Sequence, residues 1–312
     1  MDRSSLLKPA GTIDGAPARE AGRPVPQGAP STRKTSLPNP DDLVARALTI
    51  LDEENVTSGG TRFLQGANIA RGSRTAPAGL TLQRRVLSDG SECALPLRYF
   101  DVQCLVATFL TDLNAAAELL NGTGLQAVPQ EDGKGVAVLY FIEYRDTDIG
   151  PYNEVGLTVV AAAAGERIPA NYVVNLPVTT TVANRAGREI WGYNKFVGAI
   201  DVESDGRKFS TILRDTNSEM IGALEGTRGP SAPAPPTDTL TFTMLKGRVI
   251  KTLLQVFTPF QASRGDGFVF RVGPSGHPMA SNLKSLGLDG ACPVLVHYAD
   301  PFQALLFPGR AV

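Results

Sequence analysis

Residues 136–163, VAVLYFIEYRDTDIGPYNEVGLTVVAAA, decide the fold. Val136 to Tyr144 is an apolar run of strand length, and Glu154 to Ala163 is another. Between them, Asp146 to Tyr152 carries Gly150-Pro151, a turn signal. Two strands joined by so short a turn pair antiparallel, because a parallel crossover needs a dozen or more residues. The same pattern extends in both directions. Upstream, Tyr99 to Phe109 (YFDVQCLVATF) is rich in β-formers, and Thr111-Asp112 caps a short helix, Leu113 to Leu120, closed by Gly122. Downstream, Tyr172 to Pro177 reads as a strand and Thr179 to Arg185 as a small helix, with Gly187 past its end. Ile190 to Val202 reads as extended. Further strands are expected at Lys208–Leu213, Leu240–Phe257, Phe268–Val272 and Pro293–Tyr298, and a short helix at Ala280–Leu286. Pro230 to Pro236 (PSAPAPP) reads as a surface connection of polyproline character.

Strands outnumber helices, and few are separated by a helix. A doubly wound parallel sheet is therefore excluded. The expected class is α+β: a curled, largely antiparallel sheet forming a barrel- or cone-like core, with a few short helices. Such sheets often enclose a pocket. Residues 1–40 differ in kind. They hold seven prolines, four glycines and no aromatic residue, so they read as a flexible arm. Asn39-Pro40-Asp41 then starts a short helix with Leu43, Ala45, Leu48, Ile50 and Leu51 on a partial stripe. The expected organisation is this arm, a 41–95 extension packing on the core, and a main domain over 96–312.

Composition narrows the chemistry. Thirty basic and 31 acidic residues leave a net charge of −1, so there is no electrostatic case for nucleic acid or an anionic membrane. The longest apolar run, Val155 to Ala164, is far below the roughly 20 residues of a membrane span, and Met1 to Gly15 has no secretory pattern. The reading is a cytoplasmic protein. Two histidines and three scattered cysteines support neither a zinc site nor a disulfide framework. His277 and His297 read as structural, and Cys104 as a buried, inert thiol. Glycine-rich phosphate loops and a serine nucleophile elbow are absent. No metal or organic cofactor is expected, and any catalysis must come from Lys, Arg, Asp, Glu, Tyr or the backbone.

Two stretches can supply it. Ala186 to Phe196 (AGREIWGYNKF) sets Lys195 among Trp191, Tyr193 and Phe196. A lysine in apolar surroundings loses hydration of its charged form, which favours the free, nucleophilic amine. The same pattern also suits a lysine that lays its stem on apolar surface and reaches water. Asp148 to Val155 (DIGPYNEV) puts the carboxylate of Glu154 at the start of a strand, a position suited to proton transfer or orientation.

These segments resemble the signature of the acetoacetate decarboxylase family. Gly150-Pro151-Tyr152-Asn153-Glu154 is similar to its G-x-Y-x-E turn and strand. Gly187-Arg188-Glu189 with Gly192-Tyr193-Asn194-Lys195 resembles its G-R-E…(F/Y)-P-K-K segment. The likeness runs from about Arg98 to the C-terminus. It implies that Lys195 is the Schiff-base lysine and Glu154 the pocket glutamate. It also implies that Arg98 holds a substrate carboxylate, with Tyr152, Trp191, Tyr193 and Phe196 beside the substrate. It further implies a homo-oligomer. The chain departs from the family pattern at Phe196, where a second lysine is expected, and at Asn194, where proline is expected. It also departs near Leu139 or Tyr140, where a second glutamate is expected. The function implied is a Schiff-base lyase acting on a keto acid by decarboxylation or by aldol- or dehydration-type chemistry. The alternative is a non-catalytic small-molecule-binding protein on the same fold.

Overall fold

Seven strands form the central structure: β1 (Leu97–Thr111), β2 (Gly135–Thr147), β3 (Tyr152–Ala162), β4 (Ala170–Asn175), β5 (Thr239–Leu245), β6 (Arg248–Val256) and β7 (Leu295–Leu306). A computed structural model describes residues 81–166 and 168–312; the expected 1–40 arm and the helix after Asn39 lie outside the described residues. The strand order is β7-β1-β2-β3-β4-β5-β6. The sheet closes on itself where β6 pairs with β7, Leu254 opposite Leu306 and Val256 opposite Ala304. Every pairing is antiparallel except β4 with β5. Closure pairs strands that would otherwise end the sheet as open edges.

Both faces of the barrel wall are covered. Ala137, Leu139 and Phe141 of β2 and Val155, Leu157 and Val159 of β3 join an outer core. At the alternate positions of β2, Ile142 and Tyr144 join the inner core with Leu97, Tyr99, Val102 and Cys104 of β1. Side chains alternate along a strand, so a strand buried on both faces reads as a continuous apolar run. That is why VAVLYFIEY shows no alternation in sequence.

The outer core is covered by a four-stranded antiparallel sheet of Ala199–Ser204, Lys208–Arg214, Met220–Thr227 and Phe268–Val272. Phe209, Leu213, Ile221, Leu224, Phe268 and Phe270 bury their side chains there. Among the described residues, three short α-helices fill the remaining connections. In α1 (Leu113–Glu118) the Asp112 carboxylate accepts from the N–H groups of Asn114 and Ala115 at 2.9 and 3.0 Å. Helix α2 (Thr181–Ala186) is capped by Thr180, and α3 (Pro278–Ser285) is capped by His277, whose Nδ1 accepts from Met279 N at 3.1 Å. His277 therefore has a structural role, as its turn context suggested.

Four expectations are corrected. Leu240–Phe257 is not one strand but the β5–β6 hairpin, because Lys246 and Gly247 take left-handed conformations (φ 51° and 76°) that make a two-residue turn. Pro230–Pro236 is not a polyproline connection: Ser231–Ala234 pairs with Phe260–Arg264 at the sheet's edge, where Pro233 needs no ladder N–H on its open side. Ile190–Val202 is extended only in part. Gly187–Trp191 is a π-helical turn continuing α2, and regular pairing resumes at Ala199. The Met220–Thr227 strand was not expected. Its glycines, Gly222 and Gly226, weaken strand propensity but allow Phe270 and Phe268 to lie close against the backbone. Among the described residues no helix is long and apolar enough to cross a membrane.

Candidate active site

Three short backbone stretches lie side by side at the opening end of β3. Val155 N donates to Pro177 O at 3.1 Å, and Thr179 N donates to Asn153 O at 3.1 Å. On the other flank, Leu176 N donates to Asn194 O at 3.0 Å, Val178 N to Phe196 O at 2.9 Å and Gly198 N to Val178 O at 3.0 Å. Asn194 adds a side-chain bond to Val174 O at 2.8 Å. Residues 176–179 thus bridge the glutamate strand to the lysine segment, and this places Glu154 and Lys195 within reach of each other.

The two side chains meet inside the barrel. Lys195 Nζ donates to Glu154 Oε2, with side-chain exposures of 5% and 7%. Glu154 Oε1 accepts from the Tyr144 hydroxyl at 3.2 Å. The lysine ammonium also lies 5.9 Å from the Tyr152 ring centroid and 5.8 Å from that of Tyr193, within cation–π range. A buried charge persists only when it is paired and hydrogen-bonded, and this pair meets both conditions.

The π-helical turn shapes the lysine's position. Tyr193 N closes the turn on Gly187 O at 3.1 Å, and the Arg188 guanidinium donates to the Lys195 carbonyl at 2.8 Å. Trp191 is anchored at both ends: its indole N–H donates to Phe307 O at 2.8 Å, and its carbonyl accepts from Thr243 Oγ1 at 2.5 Å. Its ring stacks on Tyr193 at 6.0 Å, and the Tyr193 hydroxyl meets Thr241 Oγ1 at 3.2 Å.

Around the ion pair lies a cavity with about 90 Å³ of space open to the centre of a water molecule. Its walls are mostly aliphatic and aromatic, among them Leu97, Ile142, Val173, Leu176 and Leu306. Five tyrosines line it: Tyr99, Tyr140, Tyr144, Tyr152 and Tyr193. Tyr144 stacks on Tyr152 at 4.3 Å, and Tyr99 lies 4.8 Å from Tyr144. Burial holds all five phenols above the ordinary tyrosine range; the Glu154 charge adds to this at Tyr99, Tyr144, Tyr152 and Tyr193. They remain neutral donors. Burial also pushes the Cys104 thiol up to about 12, which leaves it inert as expected.

Of the residues singled out in the sequence, Lys195, Glu154, Tyr152, Trp191 and Tyr193 line this cavity. Arg98 and Phe196 do not. Leu97 and Tyr99 point inward from β1, so Arg98 between them points the other way. Its guanidinium takes Asp148 in a bidentate grip, Nη2 to Oδ1 at 2.9 Å and Nε to Oδ2 at 3.0 Å. Phe196 follows Lys195 in an extended segment and faces away by the same alternation. Its ring lies 4.1 Å from that of His277, on the outer core. Of the two positions considered for a second glutamate, Tyr140 lines the cavity and Leu139 belongs to the outer core. Sequence reading missed Tyr99, Tyr140, Tyr144 and Gly187. The two-residue spacing Tyr140-Ile142-Tyr144 was the available signal for the inner face.

Residues 86–254, more than half of the chain, match the family model described as acetoacetate decarboxylase. The chain belongs to the acetoacetate decarboxylase family. Among solved structures, it is similar to the acetoacetate decarboxylase of Legionella pneumophila subsp. pneumophila str. Philadelphia 1, at 17% identity and a TM-score of 0.57 over 81% of this chain and 97% of that one. Another acetoacetate decarboxylase structure matches at 14% identity and a TM-score of 0.53, over 70% of this chain and 89% of that one. The enduracididine biosynthesis enzyme MppR, complexed with pyruvate, matches at 14% identity and a TM-score of 0.52, over 75% and 92%. These likenesses establish a common fold. No curated protein sequence matches the chain. Among the described residues, no group of three or more His, Cys, Asp or Glu side chains is placed to hold a metal ion.

Proposed function

We propose that this member of the acetoacetate decarboxylase family is a lyase that forms a Schiff base between Lys195 and the carbonyl group of a small-molecule substrate. The observation that carries the reading is the buried Lys195–Glu154 pair in a cavity lined by aromatic side chains. Glu154 takes a proton from the lysine ammonium, and the freed amine attacks the carbonyl carbon. Glu154 returns that proton to the departing hydroxyl, so loss of water leaves an iminium beside the regenerated carboxylate, which stabilises it electrostatically. The iminium then draws electrons from the adjacent bond. That sink serves loss of CO2 from a keto acid, aldol cleavage or dehydration. Tyr144 holds Glu154 through Oε1, while Tyr152, Trp191 and Tyr193 exclude water. The MppR structure, complexed with pyruvate, lends support to a small carbonyl compound as the ligand.

Borohydride reduction in the presence of carbonyl compounds tests this reading. A stable adduct mapped to Lys195 by mass spectrometry is expected, and its loss in Lys195→Met. No adduct on Lys195 with any carbonyl compound would overturn it. The largely apolar lining also supports a second reading, ligand binding without turnover. That reading requires saturable binding that survives Lys195→Met.

A further inference from the structure

We infer that the cavity takes an uncharged carbonyl compound, a ketone or aldehyde without a carboxylate, and not a keto acid. The inference rests on the Schiff-base reading above and concerns the substrate that Lys195 meets.

Charge balance is the reason. Among the described residues, Lys195 is the only cationic side chain lining the cavity, and Glu154 the only anionic one. They neutralise each other directly. Schiff-base formation leaves this balance unchanged. The ammonium nitrogen bonds to the carbonyl carbon and the oxygen leaves as water with two of the three ammonium protons. The resulting iminium keeps the third proton and the single positive charge. Glu154 is matched before and after. A substrate carboxylate would add a second negative charge with no counter-ion, close to Glu154 and out of water. Buried, unpaired carboxylates are strongly disfavoured.

Among the described residues no further cation lines the cavity to match that charge. Arg98, the residue expected to hold a carboxylate, points out of the cavity and is gripped by the equally buried Asp148. Two of the lining phenols are already engaged, Tyr144 on Glu154 and Tyr193 with Thr241. What remains for the substrate is mainly apolar surface with neutral hydroxyls, which suits an uncharged carbonyl compound. On such a substrate the iminium serves aldol-type or dehydration chemistry.

The test uses the full-length chain and matched pairs in which an isopropyl group replaces the carboxylate: 3-methyl-2-butanone against pyruvate, and 5-methyl-2-hexanone against levulinate. Each is titrated in borohydride trapping with mass mapping of Lys195. The neutral ketones are expected to reach half-maximal labelling at a concentration at least about tenfold lower than their acids, corresponding to about 1.4 kcal/mol. Equal or better trapping of the acids overturns the inference and leaves the Schiff-base reading standing. An absence of any Lys195 adduct with all four overturns both.

Discussion

The stem of Lys195 runs across the bare face of Gly187: a Cβ on that residue would stand 2.3 Å from Lys195 Cε and 2.4 Å from Cδ. Gly187 opens the π-helical turn that ends at Trp191, so the turn and the lysine's path form one device. Such a contact can be relieved only by moving the flexible lysine stem, not the backbone. Gly187→Ala is therefore expected to keep the fold and displace the amine. Borohydride trapping should fall by up to about 100-fold, as a misplacement of about 1 Å can cause. The thermal midpoint should change little, and a collapse of the fold would show that Gly187 serves the turn alone.

The Lys195–Glu154 pair is expected to behave as a buried ion pair in stability measurements. Removing one partner, in Lys195→Met or Glu154→Leu, should cost about 3–5 kcal/mol, because the other charge stays buried alone. The double variant should recover most of that loss. Urea denaturation of the four proteins makes the cycle, and additive losses would mean that the two groups are not coupled.

Arg98 and Asp148 should show the same pattern without a role in the cavity. Both side chains are under a tenth exposed and bound to each other. Arg98→Met is expected to destabilise by about 3–5 kcal/mol. At a temperature where the variant stays folded, half-saturation for trapping should be unchanged. A large rise in that concentration for keto acids alone would return Arg98 to the substrate.

Alkaline pH should unfold the protein through its buried tyrosines. Tyr99, Tyr144, Tyr152 and Tyr193 are held above the ordinary phenol range in the folded chain, chiefly by burial. In the unfolded chain they ionise near pH 10. Above that pH the unfolded state binds fewer protons, so stability is full below it and falls as pH rises. Each tyrosine contributes up to about 1.4 kcal/mol per pH unit. Urea midpoints between about pH 8 and about pH 11 check this, with phenolate absorbance showing that ionisation accompanies unfolding.

The cysteines should divide by environment. Burial lifts Cys93 to about 11 and Cys104 to about 12, whereas Cys292 is exposed. A disulfide reagent at neutral pH is expected to label Cys292 alone in the native protein and all three after denaturation. Rapid native labelling of Cys104 would mean that the barrel wall opens.

Sequence by itself determined the local chemistry. Gly150-Pro151 sets a turn, the apolar runs on either side of it set antiparallel strands, and Asp112 caps a helix. Each rests on neighbours within a few residues, where propensity and spacing act directly. Lys195 and Glu154 were also legible, as a basic and an acidic residue in segments of unusual composition. Only the tertiary structure decided how they combine. The two residues are 41 positions apart and come together because residues 176–179 lie between their backbones. Alternation along β1 turns Arg98 away from the cavity while Tyr99 turns in, and strand phase is set by closure of the barrel rather than by residue type. The same closure leaves the cavity with one positive and one negative group among the described residues. Charge balance is a property of what the fold surrounds, so composition could not state it.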